Sequence, residues 1–129
     1  MSWEDLAVRC PCGSGRDIDE CCGALHSRRR DALTAEELMR SRYSAFVVGD
    51  VAWLRDSWAP SSRPKRIHVS ADDRWLGLTV VEAHGGPFDD TGRVHFIAEV
   101  ERDGTTVRLE ERSRFVRHEG RWVYLDGAG

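Results

Sequence analysis

Apolar residues recur at helical spacing in one part of the chain and alternate with polar ones in another. In ALTAEELMRSRYSAFVVGD, Met39, Tyr43, Phe46 and Val47 stand at i, i+4, i+7 and i+8, with Leu38 and Ala45 beside them. That periodicity predicts a helix with one apolar face. Thr34 and Glu37 have capping-box spacing at its start, and Gly49 is a natural stop. Asp50 can cap a second helix, VAWLRDSWA, in which Val51, Leu54 and Trp58 share a face before Pro60 ends it.

Beyond Pro64 the pattern changes to short runs rich in Val, Ile, Thr and aromatic residues. IHVS, RWLGLTVVEAHGG, GRVHFIAEV, TTVRLEERSRFVRHE and GRWVYLDG all read as strands. Asp103-Gly104 and the stretch His118 to Gly120 read as hairpin turns. SSRPK, residues 61–65, is the expected mobile connection. Helices first and antiparallel strands afterwards predict an α+β fold.

Composition narrows the function classes. The chain has 129 residues, 40% hydrophobic and 32% charged, which suits one compact globular unit with a small appendage. A net charge of −3 argues against a general nucleic-acid binder, and the one basic run is Arg28-Arg29-Arg30. No apolar stretch is long enough to span a membrane, and the opening MSWEDLAVRC lacks the apolar core of a signal peptide. The expected location is therefore the cytoplasm.

All four cysteines fall within CPCGSGRDIDECCG, at positions 10, 12, 21 and 22. In a reducing compartment, clustered cysteines favour metal ligation over disulfides. Zinc takes four tetrahedral nitrogen or sulfur ligands, and a C-x-C step can bring two sulfurs to one ion across a tight turn. Gly13-Ser14-Gly15 gives the chain freedom to fold back over the metal. Arg9 and Arg16 are the nearby cations expected to offset thiolate charge. The reading is a structural zinc held by Cys10, Cys12, Cys21 and Cys22, with His26 as an alternative fourth ligand. Four protein ligands leave no open position for water, so the metal is not expected to be catalytic.

CPCGSGRDIDECCGALH resembles the SEC-C motif, a zinc knuckle first named from the C-terminal tail of the bacterial preprotein translocase ATPase. The resemblance implies the same four ligands and a role in docking a partner. The rest of the chain resembles the YchJ-like family of small bacterial proteins. MRSRYSAFVVGDVAWLRDSW, the strands that follow it and the ending F-x-R-x-x-G-x-W-x-Y carry that likeness. It implies an N-terminal knuckle, residues 1–27, followed by a nuclear-transport-factor-2-like (cystatin-like) domain, residues 28–129. In such a fold a curved antiparallel sheet wraps around helices as a cone, often with a pocket at the open end. Some relatives carry a second knuckle at the C-terminus, whereas this sequence has one. The resemblance brings a fold and a metal but no activity.

The pocket candidates come from strand parity. Val107, Leu109, Glu111, Ser113 and Phe115 share one parity, which puts a carboxylate on a largely apolar face as a candidate general base. The plainer reading of Glu111 is an ion pair with a neighbouring arginine. His95 shares parity with Ile97 but also with Glu99 and Glu101 and is the second catalytic candidate. Arg42 and Tyr43 can reach the cavity floor from the first helix, although an ion pair tying helix to sheet is the plainer role for Arg42. No Cys–His or Ser–His–Asp group assembles. The leading expectation is thus a zinc-binding adaptor whose knuckle docks a protein partner, with room for a homodimer through the sheet. The alternatives are a small-ligand binder or isomerase- or hydrolase-like enzyme using the cone, and nucleic-acid binding through Arg28 to Arg30.

Overall fold

The structure, a computed structural model, describes residues 9–128. The first eight residues of the expected knuckle segment lie outside that range. The elements run as a 3-10 turn at Ile18–Glu20, then α1 (Cys22–His26), α2 (Ala35–Val48) and α3 (Val51–Asp56). Four strands follow, β1 (Arg74–His84), β2 (Thr91–Arg102), β3 (Thr105–His118) and β4 (Arg121–Ala128). They form one antiparallel meander in the order β1-β2-β3-β4. No described helix is long and apolar enough to cross a membrane.

Local chemistry sets the boundaries. Thr34 accepts a hydrogen bond from the Glu37 amide at 3.1 Å and so caps α2. The Glu37 carboxylate reaches back to the Leu33 amide at 2.7 Å and pairs with Arg30 at 2.8 Å. Gly49 ends α2 in the left-handed region at φ 79°, where a β-carbon would be strained. Asp50 then caps α3 through the Trp53 amide. Both predicted hairpins form with paired positive φ angles, 51° and 78° at Asp103-Gly104 and 52° and 80° at Glu119-Gly120. Two successive positive φ values give a turn whose twist matches the strands it joins.

Four local expectations change. α3 stops at Asp56, and Trp58 leaves the helix to pair with Tyr124 instead. Ala59 donates to the Tyr124 carbonyl at 2.7 Å and Tyr124 donates to the Ser57 carbonyl at 2.8 Å, so the chain after α3 clasps the edge of β4. Val47 is exposed, because α2 turns its last turn away from the sheet. IHVS, residues 67–70, is irregular rather than a strand, although Ile67 and Val69 still pack on the core. Residues 61–65 are anchored at their start, since Ser62 donates to the Leu125 carbonyl and Arg63 to the Trp58 carbonyl at 2.8 Å.

One face of the sheet covers the helices. Val94 and Ala98 of β2, with Phe115 of β3, are buried there in one cluster with Leu38, Met39 and Leu54. Fully burying side chains such as Leu38, Leu54 or Phe115 contributes about 1.5–3 kcal/mol each. The approach is close at the start of α2. A β-carbon on Gly92 would lie 2.7 Å from the Ala35 β-carbon, so only glycine lets helix and strand meet there. Cys10, Cys12 and Cys22 belong to this same core, so the cysteine segment is packed on the cone and not tethered beside it.

Candidate metal centre and ligand pocket

The cysteine segment folds back on itself through two backbone contacts. Arg9 pairs with Asp17 as an isolated bridge, and the Cys10 amide donates to the Arg16 carbonyl at 2.8 Å. Gly13 and Gly15 sit at φ 86° and 82°, which lets the loop reverse. The 3-10 turn then delivers Cys21 and Cys22 beside the first pair. All four sulfurs lie within 4.8 Å of one another, and Cys12 and Cys21 are 3.7 Å apart. A tetrahedral ion with metal–sulfur bonds of about 2.3 Å would hold its sulfurs about 3.8 Å apart, so the set fits such an ion. None of the four cysteines forms a disulfide; Cys10, Cys12 and Cys22 are buried and Cys21 is at the rim.

Hydroxyls and a cation surround the sulfurs. Ser14 lies 3.2 Å from the Cys21 sulfur, and Ser44, fully buried on α2, lies 3.5 Å from the Cys10 sulfur. Both can donate to thiolates, as partners around a metal do. Arg40 donates to the Cys12 carbonyl at 2.6 Å and pairs with Glu36 at 2.9 Å. Burial works against its charge, but Glu36 and Cys12 outweigh that and hold it above the ordinary arginine range. Arg40 is thus the cation at the cysteines. Arg9 is engaged by the Gly15 carbonyl and Asp17, and Arg16 is exposed.

The sulfurs also perturb one another. Contact with Cys12 and then Cys22 pulls the pKa of Cys10 down, while contact with Cys10 pushes Cys12 and Cys22 up. Four thiolates at this spacing need a cation between them. His26 is committed elsewhere. Its Nε2 donates to the Ser41 carbonyl at 2.7 Å, its Nδ1 lies 3.7 Å from Asp50, and its ring packs beside Trp53.

On the far side of α2 the cone encloses a pocket of about 630 Å³. Its outer half is walled by Phe46, Trp75, Phe96 and Leu109, and its inner end by Trp58, Phe115 and Tyr124. Arg42 enters at this inner end. Its Nη1 donates to the Leu54 carbonyl at 2.8 Å and to Ser57 Oγ at 2.7 Å. Its guanidinium packs on the rings of Tyr124, at 4.6 Å, and Trp58, at 4.9 Å. No carboxylate pairs with it among the described residues, so helix, loop and sheet are joined by stacking rather than by an ion pair. Burial lowers its pKa to about 10, against the opposing pull of Tyr124 and Glu111.

Glu111 faces this pocket, as its parity indicates. Ser113 donates to its Oε2, and Tyr124 donates to the same oxygen at 3.4 Å, so its partners are hydroxyls and not an arginine. Burial, and then the Glu111 charge, push the Tyr124 phenol up to about 12. The carboxylate lies flat over Gly127, where an added β-carbon would meet it at 2.2 Å. His95 is elsewhere. It pairs across the outer face of the sheet with Glu110 at 2.5 Å, because β2 turns Val94, Phe96 and Ala98 inward. It therefore cannot act in the cone with Glu111. The arginine run is tied to acceptors too: Arg28 to Asp56, Arg29 to the Asp19 carbonyl and Arg30 to Glu37.

Comparison with known proteins agrees with this architecture. A family profile described as "YchJ, middle NTF2-like domain" matches residues 34–127. The chain belongs to the YchJ-like family. A UPF0225 protein of Streptomyces coelicolor is 47% identical over 119 residues, covering 92% of this chain and 93% of the relative. One from Vibrio parahaemolyticus is 41% identical over 126 residues and is longer, with 95% of this chain matching 75% of it. The solution structure of a SEC-C motif containing protein from Rhodopseudomonas palustris superposes with a TM-score of 0.85 at 34% identity, over 95% of this chain and 98% of that one. A crystal structure of another, from Psychrobacter arcticus, gives 0.72 at 25% identity, over 91% and 80%. For a YchJ-like protein, what sequence parity missed is the shell around the cysteines. Arg40 and Ser44 lie on a helix more than twenty residues from Cys10 and Cys12, and helical spacing alone marks them only as a polar side of α2.

Proposed function

We propose that this YchJ-like protein is a small-ligand-binding cone whose N-terminal segment is stapled to α2 by a structural zinc ion. The observation that carries the ligand reading is the inner end of the pocket. Arg42 and Tyr43 are only 7% and 5% exposed, yet Arg42 Nε and Nη2 and the Tyr43 hydroxyl take no partner among the described residues. Trp58 Nε1 is the one side-chain polar atom sealed from solvent without a partner among those residues. The Arg42 and Tyr43 donors are therefore open to the pocket, whose size and apolar walls suit a small molecule. The zinc reading rests on four sulfurs within 4.8 Å of one another, a set that supplies all four positions of a tetrahedral site.

A protein-detected NMR screen of a fragment library against the metal-loaded chain tests the ligand reading. Hits should shift resonances of Phe96, Ala98 and Tyr124 together. A screen whose hits scatter over the surface, or leave these residues unmoved, overturns it. Metal analysis tests the staple, with about one zinc per chain expected from protein prepared without added metal and a ratio far below one counting against it.

The adaptor reading has its own support in the exposed turn Gly13–Arg16, which lies on the surface beside the buried sulfurs and carries the exposed Arg16. A protein partner docking there would be lost in a variant whose turn is replaced while the cysteines are kept. Equal recovery of the partner by both forms would remove this reading.

A further inference from the structure

The inner end of the pocket also indicates which chemical class it accepts, an inference that rests on the ligand reading above. Two opposite charges meet there. The Arg42 guanidinium packs on the Tyr124 ring, and the hydroxyl of that same ring donates to Glu111. Each is tethered on one side only. Arg42 spends Nη1 on Leu54 and Ser57, and Glu111 spends Oε2 on Ser113 and Tyr124. What remains at this inner end is a set of donors on Arg42 and Tyr43 and one acceptor, Glu111 Oε1. Tyr124 offers no further donor while its proton is given to Glu111.

This balance bears on ligand charge. An anionic head would satisfy Arg42 but bring a like charge to Glu111, and a cationic head would do the reverse. Inside a pocket walled by Phe46, Trp75 and Phe96 either clash is weakly screened. A head with no net charge that carries both an acceptor and an N–H donor meets both groups. Farther out, Tyr43 and Trp75 meet edge to face at 5.6 Å and Phe46 packs on Trp75 at 5.7 Å, which favours a flat apolar body. Of the charged side chains on the lining, Asp73 pairs with Arg102 at 3.0 Å, Glu110 pairs with His95 at 2.5 Å and Arg108 is exposed to solvent.

We infer that the cone binds an uncharged, flat apolar molecule whose amide-like head gives its oxygen to Arg42 and Tyr43 and its N–H to Glu111. Charged analogues of the same body are discriminated against by whichever of the two residues they oppose. Glu111 is here a recognition group.

Three probes with one body and different heads test this: 2-naphthamide, 2-naphthoate and 2-naphthylmethylamine, titrated into the zinc-loaded full chain and followed by NMR. The amide should bind about tenfold or more tighter than either charged probe, with shifts at Phe96 and Tyr124. Glu111→Gln should weaken the amide and narrow or invert its advantage over naphthoate, because the negative charge is gone while the shape is kept. Tyr43→Phe, which removes one hydroxyl, should weaken amide and naphthoate together and leave the amine unchanged. Naphthoate or the amine binding as well as the amide overturns the charge-balance inference and leaves the pocket reading standing. Failure of all three to shift the pocket residues overturns both. An amide affinity equal in wild type and Glu111→Gln overturns the role given to Glu111.

Discussion

Helix α2 divides the molecule into two polar regions that differ in how far they are completed. On one side Arg40, Ser41 and Ser44 meet the cysteine segment, and each has a partner there: the Cys12 carbonyl, His26 and the Cys10 sulfur. On the other side Arg42 and Tyr43 present donors that the protein does not use. A closed polar cluster holds a structure together. One left half-satisfied in a cavity is costly unless water or a ligand completes it. The same helix thus carries a completed polar cluster on one face and an incomplete one on the other, the faces to which the proposed staple and receptor roles belong.

The comparison breaks most visibly if the staple is removed. Chelating the metal, or Cys22→Ser, should lower stability by about 3 kcal/mol or more, a fall in melting temperature of about 10 °C or more by calorimetry. Hydrogen exchange should accelerate first in residues 9–26. Since Cys12 and Cys22 are core residues, protection around Ser41 and Ser44 should fall next. Unchanged exchange in the cysteine segment would show that packing, not metal, holds it.

The receptor side breaks through a backbone position. Gly127→Ala would place a methyl group against the Glu111 carboxylate, so Glu111 must move. The expected destabilisation is about 1–3 kcal/mol, with metal content unchanged and the Tyr124 resonance shifted. A melting temperature equal to that of wild type would mean the carboxylate is free to swing aside.

Ser44→Ala sharpens the staple side. It removes a hydroxyl from the Cys10 sulfur and should weaken metal affinity about tenfold to a hundredfold in a chelator competition, at a stability cost of about 1 kcal/mol. The pocket should not respond.

The smallest effect is a titration. The chain has two tyrosines, Tyr43 and Tyr124, and burial first of all raises the pKa of both, Tyr124 to about 12. Between pH 10 and about 12 the folded chain keeps the Tyr124 proton that the unfolded chain loses. The Tyr124 contribution to stability is therefore complete below about pH 10 and is lost as pH rises toward 12. Absorbance at the phenolate band should stay flat until well above pH 10 in folded protein and rise near 10 in denaturant. A rise at 10 in the folded chain would mean the pocket is wet throughout.

What the sequence made legible divides along the same helix. The cysteine cluster was readable because four cysteines within thirteen positions constrain one another locally. The caps at Thr34 and Asp50 and both hairpin turns were readable for the same reason. The face of Glu111 was legible because β3 alternates, with Arg108, Glu110, Arg112 and Arg114 all exposed. His95 was not, since Ile97 on its own face blurs the alternation of β2. Nor was the Arg42 environment readable: its contacts come from α3, the following turn and β4, and only tertiary folding brings these together. IHVS has strand composition, but no neighbouring strand pairs with it, so composition alone misled.

The clasp of residues 57–59 on β4 has a consequence for assembly. An unpaired strand edge is a template for another chain, and here one edge is partly occupied by the protein itself. The opposite edge, β1, carries register shifts between Trp75 and Gly77 and between Val80 and Glu82, which twist it away from regular pairing. With both rims blunted, a second copy of this chain is steered away from extending the sheet. The outer face, where His95 pairs with Glu110 and Arg114 with Asp126, presents charge pairs instead of open backbone groups.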